Sequence, residues 1–221
     1  MKKSIILLAV GLLAPLAVHA ADQPLLAVPG KVIYENKFDA ALGEPWKILK
    51  GKWELADGAW RAAEKFEDHH PGVARLTNKL GDFVIEYEFK FTGGKFNSLS
   101  INAPKGHMAR ILITPKQVSI QKDDSDHEGP DKAIVFAKLP ADFAPGTWHK
   151  VRLEMVGDMM LGQVDQLTGW GQSASFKQDR TAGLTLGGDA VEFRNFKVYE
   201  ATLNPDWDHV KVGLAKSGSK K

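Results

Sequence analysis

The densest run of ionisable side chains in the sequence is a charged segment at residues 122–132. Asp124, Asp126 and Glu128 alternate along it, and a glycine follows at the sixth position of the pattern. Alternating oxygen ligands with a glycine at that place form the first half of a calcium-binding loop. The twelfth position is Val135 instead of a bidentate glutamate, which excludes a complete EF-hand loop. A looser Ca²⁺ site, completed by carboxylates from elsewhere in the chain, stays open.

The same segment allows two other interpretations. Asp123, Asp126 and His127 could form a catalytic or sugar-binding loop, because carboxylates and imidazole are the usual proton-transfer groups. Lys122 and Lys132 would then compensate the mutual repulsion of the acids and contact a substrate. The alternative is a polar surface loop between two strands, with no function of its own.

A second pair of acids, Glu86 and Glu88, lies within a strongly alternating run at residues 83–91. Positions two apart share one face of a strand and are separated by roughly 6.6 Å at Cα. Retaining glycosidases need an acid and a nucleophile about 5 Å apart, so this pair could serve as both. The alternative is an ordinary solvated face, on which Lys90 also lies.

A third cluster surrounds a predicted β-hairpin at residues 108–121, whose two strands are joined by a turn at Pro115. His107 and Arg110 flank this hairpin, and Asn102 is close in sequence. His107 could act as a general base, and Arg110 could grip a keto or carboxylate oxygen. The alternative is a set of polar residues at the hairpin edge.

The tryptophans divide by position. Trp53 and Trp148 lie in strand-like runs and are predicted to fill the core. Trp46, Trp60 and Trp170 lie near turns, where an aromatic face can stack on a sugar ring, and Trp170 is the predicted substrate contact.

The elements that must position these residues are β-strands. From residue 31 onward the dominant period of hydrophobicity is two, with Gly and Pro turns between short runs, and no long segment shows a helical stripe. Roughly a dozen such strands predict an all-β fold, a two-sheet antiparallel β-sandwich of the jelly-roll kind. We expect one sandwich domain at residues 31–201 and a C-terminal tail at 202–221, with Trp207 folded back onto the sheet.

The N-terminus predicts export. Lys2 and Lys3 precede an apolar stretch that ends in small residues, which is typical of a signal peptide spanning residues 1–20. The apolar stretch is too short to favour an uncleaved anchor. We therefore expect a periplasmic or secreted protein without membrane insertion after cleavage. The absence of cysteine excludes disulfides, a lipid-modified cysteine and cysteine metal sites.

The charge pattern argues against nucleic acid as a partner. The formal net charge is +2, and the basic residues are interspersed with acids instead of forming a stripe. Glycine-rich phosphate loops and the common hydrolase signatures are also absent from the sequence.

Several short motifs, taken in their order, resemble the concanavalin-A-like domain of the 3-keto-disaccharide hydrolase family, which is related to family 16 glycoside hydrolases. The resemblance covers about residues 32–201. The motifs lie at residues 38–42, 51–58, 82–89, 97–98, 145–149 and 191–198, with Trp46 between the first two.

The resemblance implies a jelly roll whose concave face holds a glycan, and it adds Asn97 to the candidate substrate contacts. Two features depart from the family pattern. Asp165 is followed by Gln166 and Leu167 instead of glycine, and the Glu-x-Asp-x-x-Glu strand of family 16 enzymes is absent.

Three functions follow from these observations. The first is a hydrolase acting on a glycoside such as a 3-keto-disaccharide, and the second is a non-catalytic glycan-binding module that calcium could support. The third, a structural envelope domain, is less favoured because the chain reads as a single domain without repeats. An enzyme predicts two carboxylates, or a histidine and a carboxylate, converging in one pocket, whereas a lectin predicts an aromatic platform.

Overall fold

Alternation of apolar and polar side chains produces fifteen β-strands in the part of the chain that the computed structural model describes, residues 25–104, 106–124, 129 and 132–217. The strands are β1 (Ala27–Asn36), β2 (Trp46–Lys50), β3 (Lys52–Ala56), β4 (Ala59–Ala63), β5 (Gly72–Leu80), β6 (Phe83–Phe91), β7 (Gly94–Ala103), β8 (Gly106–Thr114), β9 (Gln117–Lys122), β10 (Ile134–Pro140), β11 (Trp148–Val156), β12 (Met159–Val164), β13 (Leu167–Gln172), β14 (Arg180–Gly188) and β15 (Val191–Leu203).

The strands form two antiparallel sheets. One sheet has eight strands in the order β13-β12-β11-β6-β15-β4-β3, with β1 also paired to β15. The other has seven, in the order β10-β9-β8-β7-β14-β5-β2. The predicted fold class, a two-sheet antiparallel β-sandwich of the jelly-roll kind, is confirmed.

Strand β6 shows why the sheets stack. Phe83, Ile85, Tyr87, Phe89 and Phe91 all point inward and are at most 3% exposed. The intervening charged residues point outward, because side chains alternate across a strand. Burial of the apolar set against the other sheet is the main force that holds the two layers together.

Two backbone irregularities shape the strands of the eight-stranded sheet. Asp57 and Gly58, at φ 51° and 72°, form the tight turn between β3 and β4, as their types predict. In β15 the register with β6 shifts between Arg194 and Lys197, and Asn195 has φ 54°. This bulge explains why the apolar period slips within β15.

Strand β13 was not predicted, because Gly169 and Gly171 interrupt its apolar pattern and glycine disfavours strands. The structure supplies a reason for both glycines. A Cβ at Gly169 would lie 2.4 Å from the Cβ of Ala137, and one at Gly171 would lie 2.0 Å from the ring of Phe136. The two sheets therefore approach too closely here for any side chain.

The domain extends beyond its predicted ends. Strand β1 begins at Ala27, before residue 31, and the segment predicted as a tail contains helix α1 (Trp207–Ser217). Trp207 is 4% exposed and folds back onto the eight-stranded sheet as expected. Within the described residues, no helix is long and apolar enough to cross a membrane. The predicted signal peptide lies outside the described residues.

The predicted division of the tryptophans is largely reversed. Trp46 and Trp60 are at most 4% exposed, and both belong to the aromatic core around Phe38. Trp148 instead lies on the outer face of the eight-stranded sheet, because it shares the parity of the outward charged residues of β11.

Candidate functional site

The outer face of the seven-stranded sheet is recessed at its centre. Ser98, Ser100 and Asn102 point outward from β7, yet each is at most 3% exposed. Their small size and the glycine at position 183 of the neighbouring strand leave a cavity of about 190 Å³. The cavity is lined by His70, Arg75, Phe96, Ser100, Asn102, His107, Arg110 and Thr185, among others.

His107 enters this cavity from the start of β8. Its Nδ1–H donates to Oδ1 of Asn102 at 2.9 Å, so the neutral ring keeps its lone pair on Nε2. Partial burial lowers the pKa of His107, and the positive charges of Arg110 and Arg75 lower it further, against an opposing effect of Asp123. The imidazole is therefore neutral at pH 7 and can accept a proton.

Arg110 is fixed by Asp123 at the end of β9. Its Nε–H donates to both carboxylate oxygens, at 3.0 and 2.8 Å, and Gln121 donates to Oδ1 of Asp123 at 2.9 Å. No described residue accepts a hydrogen bond from the terminal nitrogens of Arg110, so they are available to a ligand. The side chain of Arg75 has no hydrogen-bond or ion-pair partner among the described residues, and the cavity is consequently electropositive.

The charged segment at residues 122–132 begins beside this cavity. Lys122 is 2% exposed, and its Nζ donates to the carbonyls of Asp123 and Lys132 at 3.2 and 2.8 Å. The buried ammonium thus ties together the two ends of the segment. The Nζ of Lys132 lies 3.9 Å from a carboxylate oxygen of Asp124.

The predicted site residues Asp126, His127 and Glu128 lie outside the described residues. Among the residues that are described, no three His, Asp or Glu side chains are close enough together to hold a metal ion. The proposed calcium ligands therefore stay a prediction.

Two predicted substrate contacts, Asn97 and Trp170, do not line this cavity. Asn97 is fully buried between the sheets, where its Oδ1 accepts a hydrogen bond from the hydroxyl of Tyr87 at 3.1 Å. Trp170 packs edge-on against Trp207 beneath helix α1, with ring centroids 5.2 Å apart. Asn97 has no exposed surface for a sugar, and Trp170 contributes to the packing of the helix.

The outer face of the eight-stranded sheet carries a larger groove of about 640 Å³. Glu86 and Glu88 lie on its floor, with Trp148 beside them. Its other polar lining comes from neighbouring strands and from the residues after β1 and β12, and includes Glu35, Lys37, Lys150, Arg152, Gln163, Asp165, Lys197 and Tyr199.

The two glutamates do not form a free acid and nucleophile. Glu86 accepts from Nη1 of Arg152 at 2.6 Å and from the hydroxyl of Tyr199 at 3.4 Å. Glu88 accepts from Nε of Arg194 at 2.7 Å and from the side-chain amide of Asn195 at 3.2 Å. Each of the four carboxylate oxygens therefore already accepts a hydrogen bond.

The predicted site residues are thus split between opposite faces of the sandwich. Asn102, His107, Arg110 and Asp123 converge on one face, whereas Glu86 and Glu88 lie on the other, with two stacked sheets about 10 Å apart between them. Sequence reasoning missed Arg75 as a member of the first cluster. Arg75 alternates with two buried apolar residues of β5, and this alternation could have indicated that its side chain points outward.

No known protein family matches the sequence, and no curated protein does. Solved structures do share its fold. A galectin-like protein of unknown function from Bacillus subtilis is 10% identical with a TM-score of 0.59, over 81% of this chain and 100% of that one. SCLam, a non-specific endo-β-1,3(4)-glucanase of family GH16, is 12% identical with a TM-score of 0.57, over 80% and 95%.

The carbohydrate-binding module CBM66 from Bacillus subtilis is 13% identical with a TM-score of 0.56, over 70% of this chain and 95% of that one. At such low identities the similarity shows the fold alone. The same sandwich is thus found in an enzyme and in a binding module, so function must be argued from the site.

Proposed function

We propose that this protein is an exported carbohydrate-active protein that hydrolyses a glycoside such as a 3-keto-disaccharide. Its site is the cavity on the seven-stranded sheet. The observation that carries the proposal is the pairing of a neutral histidine, His107, with the guanidinium groups of Arg75 and Arg110 in one cavity. The sugar-related proteins among the structures of similar fold support a carbohydrate as the ligand.

The cavity suits a keto sugar because it places a base, His107, beside a cation, Arg110. A 3-keto group acidifies the hydrogen on C2, and Arg110 can hold the keto oxygen through its free terminal nitrogens. Nε2 of His107 then removes the C2 proton, and the electron pair passes to the keto oxygen, where the guanidinium stabilises the enolate. Collapse of the enolate breaks the C1–O bond, and the departing oxygen takes up a proton. Water adds across the resulting double bond, so the net reaction is hydrolysis.

This route requires no pair of catalytic carboxylates. The pair that the sequence suggested, Glu86 and Glu88, is held by arginines on the opposite face. A histidine and a carboxylate do converge, because Asp123 holds Arg110 beside His107. Asp123 orients the arginine and is a positioning residue in this scheme.

A second function, glycan binding without cleavage, is favoured by one observation. Asp123 of the cavity and Glu86 and Glu88 of the groove are all paired with arginines, so these carboxylates hold cations in place. In that case the cavity retains a sugar by hydrogen bonds from Arg75, Arg110 and Asn102, and calcium could support the adjoining segment at residues 123–131.

The test is product release by the purified protein, beginning at Ala21, from 3-keto-disaccharides and ordinary disaccharides, with and without Ca²⁺. We expect turnover of the keto substrates that falls at least 100-fold in His107→Ala, in line with loss of a general base. His209→Ala, which removes an exposed histidine of helix α1, serves as the matched control. Asp126→Ala and His127→Ala test the charged segment in the same assay.

Glycan binding without turnover would replace hydrolysis by the binding function. Turnover that survives in His107→Ala would show that the cavity on the seven-stranded sheet is not the catalytic site.

A further inference from the structure

The groove on the eight-stranded sheet holds equal numbers of acidic and cationic side chains in its lining, but they are not all paired with one another. Each of its four acids is already engaged. Glu35 pairs with Lys197 at 2.9 Å, Glu86 with Arg152, and Glu88 with Arg194. The fourth, Asp165, accepts from Nδ1 of His149 at 2.7 Å and from the backbone N–H of position 150 at 2.9 Å.

Two lysines of the same groove have no such partner. The ammonium groups of Lys37 and Lys150 make no ion pair or hydrogen bond with any described residue, and both side chains are exposed. Lys150 lies directly across from Glu88 in the register of β11 and β6, but that glutamate is bound by Arg194 instead. The groove therefore presents two ammonium groups without a partner among its described residues, whereas each of its carboxylates accepts at least one hydrogen bond.

The floor of the groove adds a donor that is also without a partner. Arg152 is 8% exposed, and two of its nitrogens are engaged: Nε by Glu154 and Nη1 by Glu86. The third, Nη2, is buried and has no hydrogen-bond partner among the described residues. Buried donors are nearly always satisfied, and because Nη2 has almost no accessible surface, an oxygen of a ligand in the groove reaches it only if the guanidinium turns towards the groove.

One wall of the groove is aromatic. The ring centroid of Trp148 lies 4.0 Å from the guanidinium carbon of Arg194 and 4.8 Å from Nζ of Lys90. These cation–π contacts hold the indole in a fixed orientation at the edge of the groove. A fixed aromatic wall beside polar donors is an arrangement that suits a sugar ring.

We propose that this groove is a second binding site, specific for an acidic oligosaccharide whose uronate carboxylates contact Lys37, Lys150 and Arg152. Its volume, about 640 Å³, lies within the usual range of ligand sites, roughly 300–1,000 Å³. The sugar hydroxyls meet Gln163 and the side-chain amide of Asn195, and one ring packs on Trp148. The two lysines without a partner give the site its preference for anions.

This site does not depend on the catalytic proposal. It lies on the opposite face of the sandwich from His107, and none of its residues contacts the cavity of the seven-stranded sheet. Binding here would anchor the protein to an acidic polysaccharide while leaving the other face free for its own substrate.

Isothermal titration calorimetry of the protein with tetragalacturonate and with a mannuronate tetramer tests the proposal, with neutral cellotetraose for comparison. We expect at least one acidic tetramer to bind, with an affinity that falls as salt is raised because the lysines are exposed. The double variant Lys37→Ala/Lys150→Ala should lose at least ten-fold in affinity with an unchanged melting temperature. The matched control is Lys79→Ala/Lys116→Ala, which removes two exposed lysines outside the groove.

Binding that persists in His107→Ala separates this site from the catalytic one. The proposal is overturned if neither acidic tetramer binds, if cellotetraose binds equally well, or if the two double variants are indistinguishable.

Discussion

Replacement of Arg152 by methionine should be among the most destabilising single changes in the protein. Arg152 lies beside Glu154, which is fully buried under β1 and accepts from Nε of the arginine at 2.5 Å and from the backbone N–H of Ala27 at 2.7 Å. Methionine keeps much of the length and apolar volume but removes the positive charge. Glu154 then remains in the interior with the backbone donors of Leu26 and Ala27 and no cation.

The expected cost in unfolding free energy follows from leaving a buried carboxylate without its cation. Removal of one partner of a buried ion pair leaves an uncompensated charge, and this typically costs about 3–5 kcal/mol. Arg152 is 8% exposed, so solvent screening does little to reduce the effect. For a chain of this size, about 2–4 °C of melting temperature is lost per kcal/mol, which gives a decrease of about 6–20 °C.

The loss of stability in Arg152→Met should depend on pH. Burial raises the pKa of Glu154 above its ordinary value, and Arg152 opposes that increase, so the pKa rises further in the variant. A carboxyl whose folded-state pKa is raised retains a proton that the unfolded chain has already released. Stability therefore falls as pH rises from the unfolded pKa, about 4.3, through the folded one. The deficit of Arg152→Met should accordingly shrink as the pH is lowered from 7 towards 5.

Urea unfolding followed by tryptophan fluorescence measures the effect as a shift of the midpoint at constant slope. Arg61→Met, at an exposed arginine of β4, is the matched control and should change the unfolding free energy by less than about 0.5 kcal/mol. Adding Glu154→Gln to Arg152→Met removes the orphaned charge and should restore at least half of the loss. A single variant within about 1 kcal/mol of the parent, or a double variant no more stable than the single one, would refute the reasoning.

Three further outcomes are expected. Gly171→Ala should cost about 1–3 kcal/mol of unfolding free energy in urea, because its Cβ would overlap the ring of Phe136; an unchanged midpoint would mean that the sheets can separate locally. Tyr87→Phe should cost about 1–3 kcal/mol in the same assay, since it leaves Oδ1 of Asn97 buried without a donor, and no loss would imply that another group replaces the hydroxyl. If hydrolysis is observed, kcat/KM should rise with pH through an apparent pKa below the ordinary 6.5 of histidine and be level at pH 7, because burial and Arg110 lower the pKa of His107; a midpoint above 6.5 would contradict this assignment.

The fold was predictable because its strongest signal is local. The alternation along β6 fixes which of its side chains are buried, whatever the strand pairs with, and the Asp57–Gly58 turn needs only its two residues. Strand β13 was not predicted because its glycines are required by a non-local contact, the close approach of Phe136 from the other sheet. Helix α1 is short, and its stabilising contact through Trp207 is likewise non-local.

The site was predictable only in part, for a related reason. A period of two shows which residues share a face of one strand, but not which sheet that strand joins. Trp46 and Trp60 lie near turns in sequence and nevertheless belong to the aromatic core, because both rings pack against Phe38. Trp148, at the start of a strand-like run, points outward.

The step that separates the candidate residues is the short connection between β6 and β7. Strand β6 lies in the eight-stranded sheet, and β7 crosses to the seven-stranded one after only two intervening residues. Glu88 and Asn102 are therefore close in sequence and yet face opposite sides of the molecule. A single groove using both would need the outer faces of two stacked sheets to meet, which a sandwich does not allow. The groups that complete the His107 cavity must consequently come from strands of the seven-stranded sheet or from the loops that join them, and the groove around Trp148 is a separate surface.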